Sequence, residues 1–454
     1  MRHVTGVLLV LVWTSGLHAQ VWGRVDMTSP RANHTLTVLP DGRVLALGGF
    51  DSQASPTYPN STYEFLDEAT MGWTSSALPP GVVPRARHTA TVLNDGRVLV
   101  TGGYTNVGGI TTNTCDIYDP VTDVWVATDS LAQARQSHAA VKLDDGSVLV
   151  VGGGTTAVER FDPATETWSS AGSLAEPRHY NSTTKLLDGR VLVAGGIYFS
   201  GTMFLNSDSA ELFDPEKPIA SAWSTVQTSE PGFRATLDPP RQWHAAHLMP
   251  SGNVLIVGGL DGSLPLASTE LFDVQHDAWV DSPLPGISEG RILSTTAALG
   301  STGQVLVIGG ALVDDSVNPP AGIITTDVEM STPSGAWLQT APALTPRFWQ
   351  TSVSLPGGRV LVTGGYDQSL ISQAILTGEI YAGQQAGDVN QDGASDIGDA
   401  IALFDYLFPV TGGPVSPPLL AVADINGDGL LDIADPIYML NYLFSGGTEP
   451  AFVP

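Results

Sequence analysis

The sequence predicts an all-β domain of seven four-stranded sheets, followed by a small α-helical domain that carries two cation-binding loops. Three observations lead to this prediction: seven Gly-Gly pairs preceded by the same residues, a tryptophan that closes six of the seven repeats, and a duplicated Asp-rich segment near the end. The predicted boundaries are 1–19 for a signal peptide, 20–383 for the β domain, 384–447 for the paired-loop domain and 448–454 for a tail.

Composition excludes several classes of protein. The 454 residues include 19 Lys+Arg against 46 Asp+Glu, a formal net charge of −27. This balance argues against a nucleic-acid partner, which needs a basic surface to displace counterions. No segment is long and apolar enough to predict a membrane span. One cysteine, Cys115, excludes an internal disulfide and a zinc site built on several cysteines.

The first twenty residues have the pattern of a secretory signal. Arg2 gives a positive start, residues 4–12 are apolar, and the small Ala19 stands at a plausible cleavage edge. We therefore expect a secreted or cell-surface protein. The alternative interpretation is an internal amphipathic strand or helix.

The Gly-Gly pairs define seven repeats of 43 to 63 residues, and begin at residues 48, 102, 152, 195, 258, 309 and 364. In every copy, a Gly stands six residues before the first glycine of the pair, a Val stands four residues before it and a Leu three residues before it. The upstream glycine, usually after Asp, suits a tight hairpin turn that needs positive φ. The Val-Leu run that follows is typical of a strand buried on both faces.

Each repeat continues with a strand such as Glu211–Pro215, and in the first six repeats a tryptophan follows, which predicts four antiparallel strands per repeat. One such sheet cannot bury both faces alone, whereas seven arranged radially can. The pattern resembles kelch repeats, and implies a seven-bladed kelch β-propeller over roughly residues 21–382. Because the seventh repeat ends at Tyr381 without a tryptophan, we expect the strand of Trp22 to complete that blade.

The C-terminal segment has no Lys or Arg to balance its acidic residues, and it contains two EF-type loops 36 residues apart. Oxygen ligands at positions 1, 3, 5, 9 and 12, a carbonyl at position 7 and glycine at position 6 are what a calcium loop requires. In the first loop the ligands are Asp388, Asn390, Asp392, Ala394, Asp396 and Asp399. In the second they are Asp424, Asn426, Asp428, Leu430, Asp432 and Asp435.

An apolar helix is predicted after each loop, over residues 400–408 and 436–444, and the whole segment resembles a dockerin. That resemblance implies two calcium ions and a cohesin-like partner. Many dockerins have Ser or Thr at loop positions 10 and 11, whereas this chain has Ile397-Gly398 and Ile433-Ala434. Self-docking and packing onto the propeller are therefore alternatives for the partner. An acidic disordered tail is the alternative for the segment itself.

Arginine recurs seventeen residues before the Gly pair in six of the seven repeats, where the innermost strand begins. The column consists of Arg31, Arg85, Arg135, Arg178, Arg241 and Arg347. A ring of arginines at one mouth of the channel would bind carboxylate or sulfate groups. Alternatively, each arginine pairs with an acid or carbonyl of a neighbouring blade and is structural.

Non-repeating residues two positions after this column are further ligand candidates. They are Arg87, Tyr180, Trp243 and Trp349, with Asn33, Ser137 and Ser294 in the other blades. Strand alternation would place them on the same side as the arginines. Aromatic faces beside arginine suit a sugar ring or an anionic peptide. The alternative is that these side chains plug the channel.

The kelch resemblance also includes galactose oxidase, whose copper site uses a Tyr-Cys crosslink. Cys115 is predicted in an outer strand, away from the channel, so no copper is expected. Histidines recur fourteen residues before the Gly pair at His34, His88, His138 and His244, with Asn181, Thr295 and Gln350 in the other blades. A column repeated by blade is typical of architecture, and we interpret it as hydrogen-bonding structure.

These observations predict an exported, non-enzymatic binding or scaffold protein. Its propeller would recognise an unknown glycan or protein, and its calcium module would tether it. The alternative is a carbohydrate-active enzyme of polysaccharide breakdown that carries a dockerin, for which two facing carboxylates would be required. A galactose-oxidase-like copper oxidase is the third interpretation.

Overall fold

The computed structural model describes most of residues 21–382 and three residues near the C-terminus. The described residues are 21–51, 59–68, 70–105, 110–262, 264–281, 284–299, 304–314, 321–332, 335–355, 358–367, 374–382, 437, 438 and 440. Trp22–Gly383 forms one compact unit. The predicted signal peptide and both predicted calcium loops lie outside the described residues.

The compact unit is an all-β, seven-bladed propeller, as the sequence predicts. Each blade is an antiparallel sheet with four strands in chain order from the axis outward, except that the outermost strand of blade 7 comes from the start of the domain. The inner strands of blades 1 to 7 are Thr35–Val38, Thr89–Val92, His138–Lys142, Ser182–Lys185, Ala245–Leu248, Thr295–Leu299 and Thr351–Ser354. The second strands are Val44–Leu47, Val98–Thr101, Val148–Gly152, Val191–Ala194, Val254–Val257, Gln304–Ile308 and Arg359–Thr363.

The two outer positions of each blade come from the Glu-Leu-Phe-Asp-like segments and the tryptophan segments. The third strands are Thr62–Asp67, Cys115–Asp119, Ala157–Asp162, Ala210–Phe213, Thr269–Asp273, Val328–Ser331 and Gly378–Ala382. The outermost strands are Gly72–Ala77, Val124–Thr128, Thr167–Ser173, Trp223–Thr225, Ala278–Val280, Trp337–Gln339 and, for blade 7, Val21–Arg24. Blade 5 gains a fifth, short strand, Phe233–Arg234, at its outer edge.

Shorter elements decorate the blades. Hairpins follow the Gly pairs of blades 4 and 6, and a two-stranded ribbon joins the start and the loop of blade 2. Their strands are Arg85–Ala86, Tyr104–Thr105, Ile197–Phe199, Phe204–Asn206, Ala311–Asp314 and Ala321–Ile324. One 3-10 turn, Ile219–Ser221, precedes the outer strand of blade 4. Ile437, Tyr438 and Leu440 have helical backbone.

The core lies between adjacent blades, because the second strand of each blade is buried on both faces. In blades 1 and 2, Leu45 and Leu47 pack with Val98, Val100 and the ring of Tyr118. β-Branched and leucine side chains fill such face-to-face sheet contacts efficiently. This explains why the Val-Leu pattern is continuous and does not alternate.

The ring closes through the N-terminal strand, as the Trp22 position predicts. The inner strands contact one another from blade 1 to blade 7 and back to blade 1. Val21–Arg24 is the outer strand of blade 7 and pairs with Gly378–Ala382. The Trp22 ring lies 5.1 Å from that of Tyr381, and its Nε1 donates to the carbonyl oxygen of Ala341 at 3.0 Å. Closure covers the sheet edge that blade 7 would otherwise expose.

No helix among the described residues is both long and apolar enough to cross a bilayer.

Candidate functional site at the mouth of the propeller channel

The two glycines of each pair join one blade to the next. The N–H of the second glycine donates to the carbonyl oxygen of the arginine at the start of the following blade. The seven hydrogen bonds run from Gly49 to Arg85, Gly103 to Arg135, Gly153 to Arg178, Gly196 to Arg241, Gly259 to Arg291, Gly310 to Arg347 and Gly365 to Arg31, with N···O distances of 2.7–3.0 Å. The residues before each inner strand are therefore held side by side around the axis.

The arginine column is structural, which corrects the prediction of an anion-binding ring. Each of these arginines is at most 2 % exposed as a residue, and its guanidinium pairs with an acidic residue of its own blade's third strand. The pairs are Arg31–Glu64, Arg85–Asp116, Arg135–Glu159, Arg178–Glu211, Arg241–Glu270, Arg291–Glu329 and Arg347–Glu379. A buried charge must be paired and hydrogen-bonded, so these groups are not available to a ligand.

The same guanidinium groups also hold the loop of their own blade. Arg135 Nη1 donates to the carbonyl oxygen of Gly152 at 3.0 Å, and equivalent bonds occur in five other blades. Burial lowers the pKa of Arg241 to about 10, and the Glu270 carboxylate opposes that shift. The residue therefore stays charged at neutral pH.

Blade 6 contributes a seventh arginine, Arg291, which the sequence pattern missed. It stands eighteen residues before Gly309, whereas the other six stand seventeen before their Gly pairs. The segment between Arg291 and the Gly pair is therefore one residue longer than in the other blades. The buried pair with Glu329 reveals the equivalence that fixed spacing concealed.

The histidine column also serves the contacts between blades. His88 Nε2 lies 3.1 Å from Thr35 Oγ1 of the preceding blade, and His244 Nε2 lies 3.0 Å from Ser182 Oγ. A Cβ added to Gly195 would lie only 2.7 Å from His244 Cε1, so the imidazole occupies the space that glycine leaves. Burial, together with the nearby charge of Arg241, lowers the pKa of His244 to about 3.

Seven residues form the rim of the channel, each two positions after a column arginine. All seven have positive φ, between 51° and 57°, and all are half-buried. They are Asn33, Arg87, Ser137, Tyr180, Trp243, Leu293 and Trp349, which we call the mouth ring. The expectation of strand alternation was wrong here, because the chain takes a left-handed turn before each inner strand begins. In blade 6 the position belongs to Leu293 instead of Ser294, because of the one-residue shift.

Backbone hydrogen bonds connect consecutive members of the mouth ring. The N–H of Asn33 donates to the Trp349 carbonyl, that of Arg87 to Asn33, that of Ser137 to Arg87 and that of Tyr180 to Ser137, with N···O distances of 2.9–3.3 Å. A left-handed conformation costs a bulky residue about 1–3 kcal/mol, and persists only where surrounding structure fixes it. Such strain concentrates at binding sites, so the ring is a candidate site.

The mouth ring is divided into a polar arc and an apolar arc. Asn33, Arg87 and Ser137 occupy blades 1 to 3, and the other four members occupy blades 4 to 7. In the apolar arc, the Tyr180 and Trp243 rings meet edge to face at 5.6 Å. The indole Nε1 of Trp243 is buried without a hydrogen-bond partner among the described residues.

The hairpin of blade 4 carries exposed aromatic side chains. It follows the Gly pair and pairs with the strand start through a bridge between Ile197 and His179, the neighbour of Tyr180. Phe199 and Phe204 at its end are 54 % and 65 % exposed, with ring centroids 5.3 Å apart. The hairpin thus adds apolar surface on the blade of Tyr180.

The remaining chemical candidates do not join the mouth ring. Cys115 is buried in the third strand of blade 2, one strand in from the edge, where burial raises its thiol pKa to about 11. Among the described residues, no three or more His, Cys, Asp or Glu side chains are grouped as a metal site would need. The twelve predicted calcium ligands lie outside the described residues.

Comparison with known families agrees with the architecture. The family model described as the KLHDC2/KLHL20/DRC7 Kelch-repeats domain matches residues 11–196. The model of the dockerin type I domain matches residues 386–444. The chain therefore contains a kelch-repeat domain within its seven-bladed β-propeller and a dockerin type I domain over residues 386–444. Dockerin type I domains bind calcium and occur in secreted or cell-surface proteins, which agrees with the loops read from the sequence.

Two curated relatives match this chain over part of the propeller. Adagio-like protein 1 of Oryza sativa subsp. japonica is 27% identical over 151 residues, 30% of this chain and 24% of the relative. Adagio protein 3 of Arabidopsis thaliana is 30% identical over 146 residues, 30% of this chain and 23% of the relative. The chain therefore spans about a quarter of the length of these relatives.

Among solved structures, the chain is similar to one described as a novel fungal alcohol oxidase of the AA5 family in complex with copper. The TM-score is 0.63 at 16% sequence identity, over 88% of this chain and 79% of that one. The likeness shows a shared fold.

Proposed function

We propose that this is an exported binding protein whose mouth ring holds a carbohydrate and whose dockerin domain attaches it to a cohesin-type partner. The observation that carries the proposal is the apolar arc. Tyr180, Trp243 and Trp349 are half-buried side chains fixed by the backbone around one opening. Aromatic faces with one side covered and one side reachable suit the apolar face of a sugar ring.

The ring supports binding more than plugging of the channel. A side chain that plugs a channel is expected to be fully buried, as the column arginines are. All seven members of the mouth ring keep partial exposure instead. Solvent, and therefore a ligand, can reach them.

The alternative of a carbohydrate-active enzyme receives no support from the mouth ring. Glycoside hydrolysis generally needs two carboxyl groups that flank the scissile bond. The seven ring members include no Asp or Glu. The acids of the third strands that lie nearest to the column, such as Glu64 and Glu159, are buried in pairs with arginine. Binding is therefore the function that the geometry favours.

Calcium would organise the tether in this proposal. The two predicted loops supply six oxygen donors each, and the loss of positive charge after Arg359 leaves only a cation to offset their repulsion. Two ions are expected. Export through the N-terminal signal would place the protein where a cohesin-type partner and polysaccharides are both accessible.

A glycan array probed with the full-length protein in calcium tests the proposal. We expect a defined set of carbohydrates to bind the wild type, with binding reduced at least tenfold by Trp243→Ala. Trp73→Ala is the matched control, because Trp73 lies on an outermost strand. Absence of binding to every glycan, or equal loss in both variants, would contradict the proposal.

A further inference from the structure

The mouth ring contains one arginine that differs from every other arginine that the structure describes. Each of the others forms an ion pair with an Asp or Glu side chain. Among the described residues, Arg87 has no such carboxylate partner. In a chain with a formal net charge of −27, a half-buried arginine without a paired acid is a chemically distinct position.

Aromatic rings hold the Arg87 guanidinium in place of a carboxylate. Its central carbon lies 5.7 Å from the ring centroid of Phe50 and 5.9 Å from that of Trp349. Cation–π contacts position a guanidinium and leave its N–H groups free to donate in the plane of the guanidinium itself. The buried Nε has no hydrogen-bond partner among the described residues. The group is thus oriented but not satisfied.

The neighbours of Arg87 in the ring add hydrogen-bonding capacity and no negative charge. Asn33 and Ser137 lie directly on either side, as the backbone bonds between these three residues show. Their amide and hydroxyl groups donate to oxygen acceptors. The nearby His179 adds no charge of its own to this arc, because burial is the main cause that lowers its pKa and the positive charge of Arg87 lowers the pKa as well. Arg87 is therefore the cationic member of a neutral polar arc.

We propose that the polar arc binds the anionic group of an acidic saccharide, with Arg87 donating to its carboxylate or sulfate oxygens while the sugar ring rests on the apolar arc. The inference rests on the proposed carbohydrate-binding function and names the class of sugar. Arginine recognises planar and tetrahedral oxyanions through paired N–H donors. A neutral sugar carries no such oxyanion. Arg87 lies within the polar arc, but its guanidinium approaches the ring of Trp349 in the apolar arc, so one saccharide could contact both.

Matched saccharides that differ only in charge test this assignment with full-length protein. The carboxylate probe is an oligogalacturonide, compared with its fully methyl-esterified form. The sulfate probe is a sulfated galactan oligosaccharide, compared with the same chain after desulfation. A glutamate-rich peptide is the third probe. Calorimetric titration at low and high salt measures each affinity.

Three variants separate charge at the mouth from charge elsewhere. Arg87→Gln removes the cation and keeps a polar side chain at the same left-handed position, and Arg87→Lys restores the charge. Arg24→Gln is the control for net charge, since Arg24 lies in the outer strand of blade 7 with its side chain 59% exposed. Circular dichroism and thermal unfolding confirm that each variant folds.

We expect the wild type and Arg24→Gln to prefer at least one acidic saccharide over its neutral partner by about tenfold, more at low salt. Arg87→Gln should reduce that preference to near one, and Arg87→Lys should restore part of it. Equal binding of acidic and neutral partners, or an unchanged preference in Arg87→Gln, overturns the inference and leaves the proposed function standing. No saccharide binding at all overturns both, and so does binding of the peptide alone.

Discussion

Gly196 donates its backbone N–H to the carbonyl oxygen of Arg241 at 2.9 Å, which joins blade 4 to blade 5. The same bond occurs at all seven junctions. It places the start of each inner strand against the loop of the preceding blade, and so sets the position of every residue in the mouth ring. The hydrogen bond from the Gly pair thus fixes the mouth-ring residues at the same regular spacing as the blades.

Alanine at the first glycine of a pair should destabilise the propeller strongly. Gly195 has a φ of 61°, and an added Cβ would lie 2.7 Å from both the Arg241 carbonyl oxygen and His244 Cε1. Strain and overpacking together predict a loss of about 2–5 kcal/mol in Gly195→Ala. Chemical denaturation measures the loss. Gly201→Ala, at positive φ in open space, should cost about 1 kcal/mol, and equal losses in the two variants would contradict the packing argument.

Removal of one column arginine should be costly because it leaves a buried carboxylate unpaired. Arg135 and Glu159 are 2.6 Å apart with side chains 0% and 6% exposed. We expect Arg135→Met to lose about 3–5 kcal/mol of unfolding free energy, and the double variant with Glu159→Leu to regain most of it. Denaturant unfolding of both variants checks this. Arg24→Met, which breaks an exposed pair, should change stability by about 0–1 kcal/mol. A double variant as unstable as the single one would show that packing dominates.

The histidine column should make the propeller sensitive to acid. Burial and neighbouring arginines lower the pKa of His138 to about 3 in the folded state, whereas the pKa of a histidine in the unfolded chain is about 6.5. The unfolded state therefore binds more protons between these values. The neutral histidine's contribution is fully present above about pH 6.5 and is lost as pH falls toward about 3.

His138→Asn measures that contribution, because Asn181 already fills the equivalent position in blade 4. The unfolding free energy of the wild type should fall more steeply with decreasing pH than that of the variant. The expected difference is about 1.4 kcal/mol per pH unit between pH 6 and 4. Parallel curves for the two proteins would contradict the prediction.

Calcium removal should affect the dockerin domain and spare the propeller. The acidic loops need a cation to offset their mutual repulsion. With EGTA, we expect proteases to cleave rapidly within residues 388–444, while the main thermal transition changes little. Asp388→Ala together with Asp424→Ala should reproduce the effect in the presence of calcium. The same protease resistance with and without calcium would count against the prediction.

The sequence predicts the blades well because their strands obey local rules. The hairpin glycine and the buried Val-Leu strand recur in every repeat, and Trp22 identifies the strand that closes the ring. These features depend on nearest-neighbour contacts that a repeat displays seven times. The spacing of the predicted calcium ligands likewise predicted the dockerin domain, and a family model matches that segment.

The site was harder to predict because its geometry depends on long-range burial. The arginine column and Arg87 are the same residue type in one loop, yet Arg85 is buried on Asp116 and Arg87 stacks on aromatic rings. Only the acids of the third strand, about thirty residues later, distinguish them. The left-handed turn also has no signature in residues as different as Ser137 and Trp243. A search for an acid partner of each arginine would have marked Arg87.

The central claim is that a carbohydrate binds across the mouth ring, and a crystal structure of the full-length protein with its best array ligand tests it most directly. We predict a sugar ring in van der Waals contact with Trp243 or Trp349, at the opening where the loops after the Gly pairs meet. A ligand seated on the outer strands, or at the opposite end beside the Asp-Gly hairpins, would contradict the claim.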